Sequence, residues 1–386
     1  MEIIILIIPF LLAMMLGKFI IPYIMLITYK KRLFDPIDAR KIHQHIIPRL
    51  GGVAFVPIQC CLLAITIIMV YKLNFVDLKI ATWEVFPMFI MLICGMVILY
   101  ITGIADDLIG VSYRWKFMVQ IIVALLLPLS GLWINNLYGL GFVTEIPIWI
   151  GVPLTVFLVV LIINAINLMD GLDGLCSGLV GIGCLVLGML FVYYQAWIHA
   201  LLAFITTGIL ISFFYYNVFG TSKRRRRIFM GDTGSMTLGY TMAFLTISFS
   251  MNNNNIKPFT EGAVVIAFST LIVPVFDVIR VIYLRWKNKQ ALFKPDRNHL
   301  HHKLLNLGLS HKSAMLVIIS ISLVFCIVNV LLVQVMSNNL VLVMDVFLWI
   351  CFNYGIEVLF AYKRQPKFDK QTSLEKSMPL VKKYNF

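Results

Sequence analysis

Charge is scarce in this chain. Only 13% of its 386 residues are Asp, Glu, Lys or Arg, against a hydrophobic fraction of 60% and a mean hydropathy of +0.92. That scarcity excludes a soluble globular domain and predicts an all-α polytopic membrane protein. Cysteine is also thin. Cys60, Cys61, Cys94, Cys176, Cys184, Cys326 and Cys351 lie mostly within apolar stretches, at spacings that suit neither a disulfide scaffold nor a zinc site. The opening MEIIILIIPFLLAMMLGKFIIPYIML has no basic n-region and no small-residue cleavage site, so it reads as a first span and not as a removed signal peptide. No repeated sequence is evident, which weighs against a transporter built from inverted repeats.

The net charge of +14 invites a nucleic-acid reading, but its placement argues against one. Of the 32 Lys and Arg, 27 fall in residues 29–49, 105–116, 218–235, 282–313 and the tail after Ala361, whereas the intervening loops hold only Lys72, Lys79 and Lys257. This is the positive-inside pattern, predicting those loops and the C-terminus in the cytoplasm and the N-terminus outside. A helix needs about 20 apolar residues to cross the hydrocarbon. Eleven spans are expected near 3–27, 51–71, 85–104, 117–134, 147–166, 175–194, 197–217, 234–250, 261–281, 313–334 and 339–361. The stretch 135–151 has the turn residues and aromatics of an external hairpin or interfacial piece. The expected organisation is an integral membrane domain over 1–361 and a basic cytoplasmic tail over 362–386.

The few acids gather where they are expensive. Asp106 and Asp107 end the third expected span in ITGIADDLIG, and a nearby dication or basic group would relieve their mutual repulsion. Arg114 and Lys116 follow, suited to a phosphate or to topology alone. In NAINLMDGLDGL, Asn164, Asn167 and Asp170 recur every third residue and share a helix face, while Asp173 either joins them or caps the next helix. After the seventh span, SKRRRRIFMGDTGSMTLG places Arg224 to Arg227 before a small-residue turn at a helix start. There, backbone amides can face phosphate oxygens and Asp232 can coordinate magnesium. The G-K-S/T ending of a Walker loop is absent.

NHLHHK supplies His299, His301 and His302. No cysteine accompanies them and the acidic loops favour a hard metal, so a phosphate-contacting role suits His301 and His302 better than zinc. Asp277 and Arg280, at i,i+3 spacing, suit a structural ion pair. In the first basic loop Lys41, His43, His45 and Arg49 precede Gly51 and Gly52 as another anion-binding edge. Glu145, Asp345 and His199 read as external or interfacial features.

In this order, DD, NxxNxxDGxDGL, GDTGS and HxHH resemble the polyprenyl-phosphate N-acetylhexosamine-1-phosphate transferase family, over about residues 30–330. That family also includes the phospho-MurNAc-pentapeptide transferases. The HLHH pattern at 299–302 looks like the GlcNAc branch, because Leu300 interrupts the three consecutive histidines of the pentapeptide branch. The resemblance implies transfer of HexNAc-1-phosphate from a UDP-HexNAc to undecaprenyl phosphate, giving the lipid diphosphate-sugar and UMP, in the bacterial cytoplasmic membrane. It implies Mg2+, or Mn2+, on Asp232, with Asp106, Asp107 and His301 catalytic. Asn164, Asn167, Asp170, Asp173, Lys116 and Arg227 are then expected around the nucleotide and phosphates, and His299 and His302 around the diphosphate or sugar. Asp107 is expected to position the lipid phosphate or take its proton. Direct displacement is favoured over an aspartyl-phosphate. A pentapeptide-sugar transferase and an ion-coupled transporter remain the alternatives. The sequence is compatible with a homodimer without specifying one, and it leaves the donor and the glycan pathway open.

Overall fold

A computed structural model describes residues 2–31, 33, 48–73, 85–221, 227–290 and 298–364. Lys41, His43, His45, Arg224 to Arg226 and the tail 365–386 lie outside the described residues. The helices, in order, are α1 (Glu2–Lys31), α2 (Phe55–Leu73), α3 (Val85–Ile109), α4 (Tyr113–Leu129), α5 (Ile148–Met169), α6 (Leu175–Tyr193) and α7 (Trp197–Phe214). They continue as α8 (Gly231–Ser250), α9 (Ala263–Ser269), α10 (Ile272–Lys287), α11 (Leu300–Asn306), α12 (His311–Leu332) and α13 (Asn338–Arg364). Long apolar runs become helices because only intrasegment hydrogen bonds satisfy the backbone inside a bilayer.

Eight of these helices among the described residues are long and apolar enough to cross a membrane, or nine if α9 and α10 are one broken span. The protein is therefore an all-α, multi-pass membrane protein. Of the eleven expected spans, those near 117–134 and 234–250 are present as helices α4 and α8. Neither belongs to that set: α4 has 17 residues, and α8 is rich in Gly, Thr and Ser.

The reason for the polarity of α8 is its position. It packs against α3, α5 and α6, and every residue from Thr233 to Ser250 is buried. A helix that never meets lipid has no need of an apolar outer face. Its hydroxyls bond back to carbonyls four residues earlier, Thr237 to Thr233 at 2.7 Å, Thr241 to Thr237 at 2.9 Å and Ser250 to Thr246 at 2.8 Å. By contrast, α1 exposes Ile3, Ile4, Ile7, Ile8 and Leu11 and packs its other side on α7.

Helices α9 and α10 meet at 79° across a two-residue break. Pro274, in the first turn of α10, has no N–H to give to a continuing helix, so the chain restarts there. The bend carries Asp277 to the histidine segment. The expected hairpin is present. Asn136 and Glu145 form an antiparallel bridge, and the start of α13 holds the turn, through Asn338 to the Tyr138 carbonyl at 2.7 Å and Asn339 to the Gly139 carbonyl at 2.9 Å. Two of the residues read as external or interfacial are buried within the protein. His199 is buried among the rings of Phe89, Phe191 and Phe244. Asp345 is buried within α13 and accepts from Asn329 of α12 at 2.7 Å, a pairing across helices that the spacing along the chain does not reveal.

Candidate active site

The acidic segments converge at one end of the bundle, around the start of α8. There the Asp107 carboxylate, from the last turn of α3, accepts the backbone N–H of Asp232 at 2.8 Å, that of Thr233 at 3.0 Å and the Thr233 hydroxyl at 2.6 Å. This departs from the expectation that those amides face a phosphate. The positive end of α8 already holds an anion, and the anion is the protein's own. The close approach requires glycine on α3, since a Cβ at Gly103 would stand 2.4 Å from the Thr233 Cα. Asp107 thus clamps the turn that presents Asp232.

Asp232 faces the other way. Its Oδ2 accepts from the Lys116 ammonium at 2.8 Å, and its Oδ1 from the Asn167 amide at 3.1 Å. The same Lys116 nitrogen reaches Asp106 Oδ2 at 3.0 Å, while Asp106 Oδ1 accepts the Val111 N–H at 2.6 Å. Asn167 also donates to Ser235 at 2.7 Å, fixing its amide between the first turn of α8 and the end of α5. Asp170 caps α5 and is partly exposed beside this group. Burial first, then the facing charges of Asp232 and Asp107, push its carboxyl well above the usual carboxylate range, with Arg49 opposing. Such crowding of acids around one lysine creates a site with a deficit of positive charge.

The other expected residues divide. Asn164 sits one turn deeper and donates to Gln120 at 2.6 Å and to the Val160 carbonyl at 2.8 Å, a contact between α5 and α4 instead of a place at the acids. Asp173 pairs with Arg227 and accepts from Asn217 at 3.4 Å, so it does not cap α6. Asn217 is buried in a π-turn after α7. It also accepts the Gly174 N–H at 2.6 Å and donates to the Ile228 carbonyl at 2.8 Å. It therefore ties the DGLDG turn to the segment leading into α8. Residue spacing does not single out Asn217 or Gln120; their one signal in the sequence is a lone amide in an otherwise apolar stretch.

The histidines are arranged by Asp277, which is fully buried on α10. Its Oδ2 faces His299 Nδ1 at 2.8 Å, and its Oδ1 accepts from the Leu300 N–H at 3.0 Å and from Arg280 at 2.6 Å. The expected Asp277–Arg280 pair is thus present, and it also caps α11 from outside. His301 follows, its ring parallel to that of His299 with centroids 5.9 Å apart, and that of His302 lies 4.2 Å away. His301 reaches the acidic turn, since a Cβ on Gly171 would stand 2.9 Å from its Nε2. Burial pulls the His301 pKa down to about 3, so the ring is neutral. Among the described residues neither of its nitrogens has a hydrogen-bond partner, nor does the buried Arg227 Nε. Buried polar atoms in this condition are open to a water, an ion or a polar ligand.

Among the described residues no group of three or more His, Cys, Asp or Glu is set to hold a metal by itself. Two carboxylates sharing one cation nevertheless suit magnesium, which takes one or two protein carboxylates and completes its shell with waters and substrate phosphates. The two asparagines give a direct check on this geometry. Asn167→Ala removes a donor to Asp232 and should lower turnover about 10²-fold with little change in melting temperature. Asn164→Ala leaves Gln120 without that donor and should lower the melting temperature, with turnover within about threefold of wild type. Equal losses of turnover in the two variants would contradict this division.

The glycosyl transferase family 4 profile matches residues 89–250. A probable undecaprenyl-phosphate N-acetylglucosaminyl 1-phosphate transferase of Bacillus subtilis is 32% identical over 329 residues, 84% of each chain. Undecaprenyl-phosphate alpha-N-acetylglucosaminyl 1-phosphate transferases of Yersinia pestis and Escherichia coli are 28% and 27% identical, over 76% of this chain and 74% of theirs. With 32% identity over 84% of its length to one of these enzymes, the chain belongs to the undecaprenyl-phosphate N-acetylglucosaminyl 1-phosphate transferase family.

Proposed function

We propose that this protein transfers HexNAc-1-phosphate, with GlcNAc the favoured sugar, from a UDP-HexNAc to undecaprenyl phosphate. The observation that carries the reading is the shared hold of Asp106 and Asp232 on one cation, beside a neutral, unpartnered His301. In this reading Asp232, with Asp106, holds Mg2+ or Mn2+, and the ion when bound neutralises the donor diphosphate. Asn167 orients Asp232, and Asp107 keeps the start of α8 in place beneath it. His301 offers a ring nitrogen to the diphosphate or sugar, with Arg227 near the same turn. The basic loops and this site face the cytoplasm, the N-terminus lies outside, and eleven crossings connect them.

The chemistry is a displacement at the sugar-bearing phosphorus. An oxygen of the lipid phosphate bonds to that phosphorus, the bond to the bridging oxygen breaks, and UMP leaves with the bridging oxygen; the anomeric bond is untouched. A phosphate monoester has a second pKa of about 6 and is already largely deprotonated near neutral pH, so no strong general base is required. Charge stabilisation and positioning then supply most of the acceleration. Purified protein should release UMP and form lipid-linked sugar only when undecaprenyl phosphate, a UDP-HexNAc and a divalent metal are all present. Donors to compare are UDP-GlcNAc, UDP-GalNAc and UDP-MurNAc-pentapeptide. Folded protein that forms no UMP with any of them would refute the proposal, and solute flux across proteoliposomes without UMP would favour a transporter.

A further inference from the structure

Two carboxylate oxygens and one ammonium form the centre of the site, and their bonding is unequal. Asp106 Oδ1 is tied to the Val111 N–H and Asp232 Oδ1 to the Asn167 amide. Both of these partners are neutral. The remaining oxygens, the two Oδ2 atoms, share Lys116 Nζ at 3.0 and 2.8 Å. Those two oxygens are the ones that would hold magnesium, a hard dication that takes carboxylate oxygens as direct ligands. An ammonium and a dication cannot occupy the same gap, because like charges so close repel strongly. Lys116 must therefore leave before the two Oδ2 atoms can hold a metal. It is able to do so, being a flexible four-carbon stem in the first turn of α4 with its side chain 25% exposed.

We propose that Lys116 is an internal counter-cation which holds Asp106 and Asp232 together until metal and donor diphosphate bind as a pair. The inference rests on the reading of this site as a metal-dependent nucleotide-sugar site. Metal arriving alone displaces Lys116 and leaves the ammonium without an anionic partner. Metal arriving with a diphosphate gives the displaced ammonium phosphate oxygens in exchange for the carboxylates. Lys116 thus makes metal affinity depend on the donor, and by linkage makes donor affinity depend on the metal to the same factor. A site built this way does not hold its metal tightly between turnovers.

Mn2+ binding to the full-length protein in detergent, measured from the free Mn2+ resonance with and without UDP, tests the proposal. Wild type should bind Mn2+ weakly alone and about tenfold or more tightly with UDP. Lys116→Met should bind Mn2+ about tenfold more tightly than wild type without UDP, with much less gain on adding it. Lys116→Arg, which keeps the charge, should resemble wild type. A Lys116→Met protein that binds Mn2+ no more tightly than wild type overturns the proposal. The wild-type chain gives an independent measurement. Acylation of Lys116 by an amine-selective reagent, followed by mass spectrometry, should accelerate at saturating Mn2+ and slow again when UDP is added. An unchanged rate at saturating Mn2+ also overturns it. Failure of the transferase reading shows itself separately, as the absence of UMP with every donor.

Discussion

Asp232→Asn should lower the turnover number about 10³-fold at saturating donor and lipid while the protein still folds and inserts. The substitution keeps the shape of the side chain and an oxygen for the Asn167 amide, but removes the negative charge that Lys116 meets at 2.8 Å. The backbone of residue 232 stays where Asp107 holds it. Loss should therefore appear in turnover and in metal response, and hardly in thermal stability. UMP release measured against metal concentration, beside a melting curve, makes the check. Near-wild-type turnover with an unchanged metal optimum would remove Asp232 from the centre of the chemistry.

Asp277→Ala should act from a distance on both stability and turnover. Its carboxylate is fully buried and serves His299, the Leu300 N–H and Arg280 at once. Removing it leaves the helix start without its acceptor and the Arg280 guanidinium without its counter-charge, holding only the Asn298 carbonyl at 2.6 Å, at a cost of about 3–5 kcal/mol. The expected result is faster amide hydrogen exchange over residues 298–307 and turnover lower by about 10²-fold, because His301 loses its fixed place above Gly171. Asp277→Asn retains one oxygen for Leu300 and should recover part of both effects. Normal exchange over 298–307 in the alanine variant would show that the histidine segment is held by something else.

Much of this architecture is legible along the chain because a bilayer imposes a simple rule on composition. Apolar runs of span length and alternating basic loops mark α1 to α3, α5 to α7, α12 and α13. Helix α8 is legible as a helix over 234–250, but its complete burial is not, because a helix shielded on all sides follows no bilayer rule. The acids of the site were legible for a related reason. Asp106, Asp107, Asp170, Asp173 and Asp232 stand out against apolar surroundings, and each lies near the end of a helix. Their division of labour was not legible. Nothing in the repeat of Asn164, Asn167 and Asp170 indicates that the first is engaged by Gln120 of α4 and the second by Asp232 of α8. The arginine run showed a positive patch, yet its last member pairs with Asp173, which lies 54 positions away.

The sequence by itself determined the class of protein, the end of each span at which polar chemistry gathers, and the family, because these depend on composition and on local order. The tertiary structure alone decided which carboxylate clamps a helix, which carboxylates share a cation, and which histidine reaches the acidic turn. Those outcomes depend on the distances between α3, α4, α5, α8 and α10, set by close backbone contacts such as Gly103 against Thr233 and by the 79° break before α10. Residue spacing along a chain carries no measure of either.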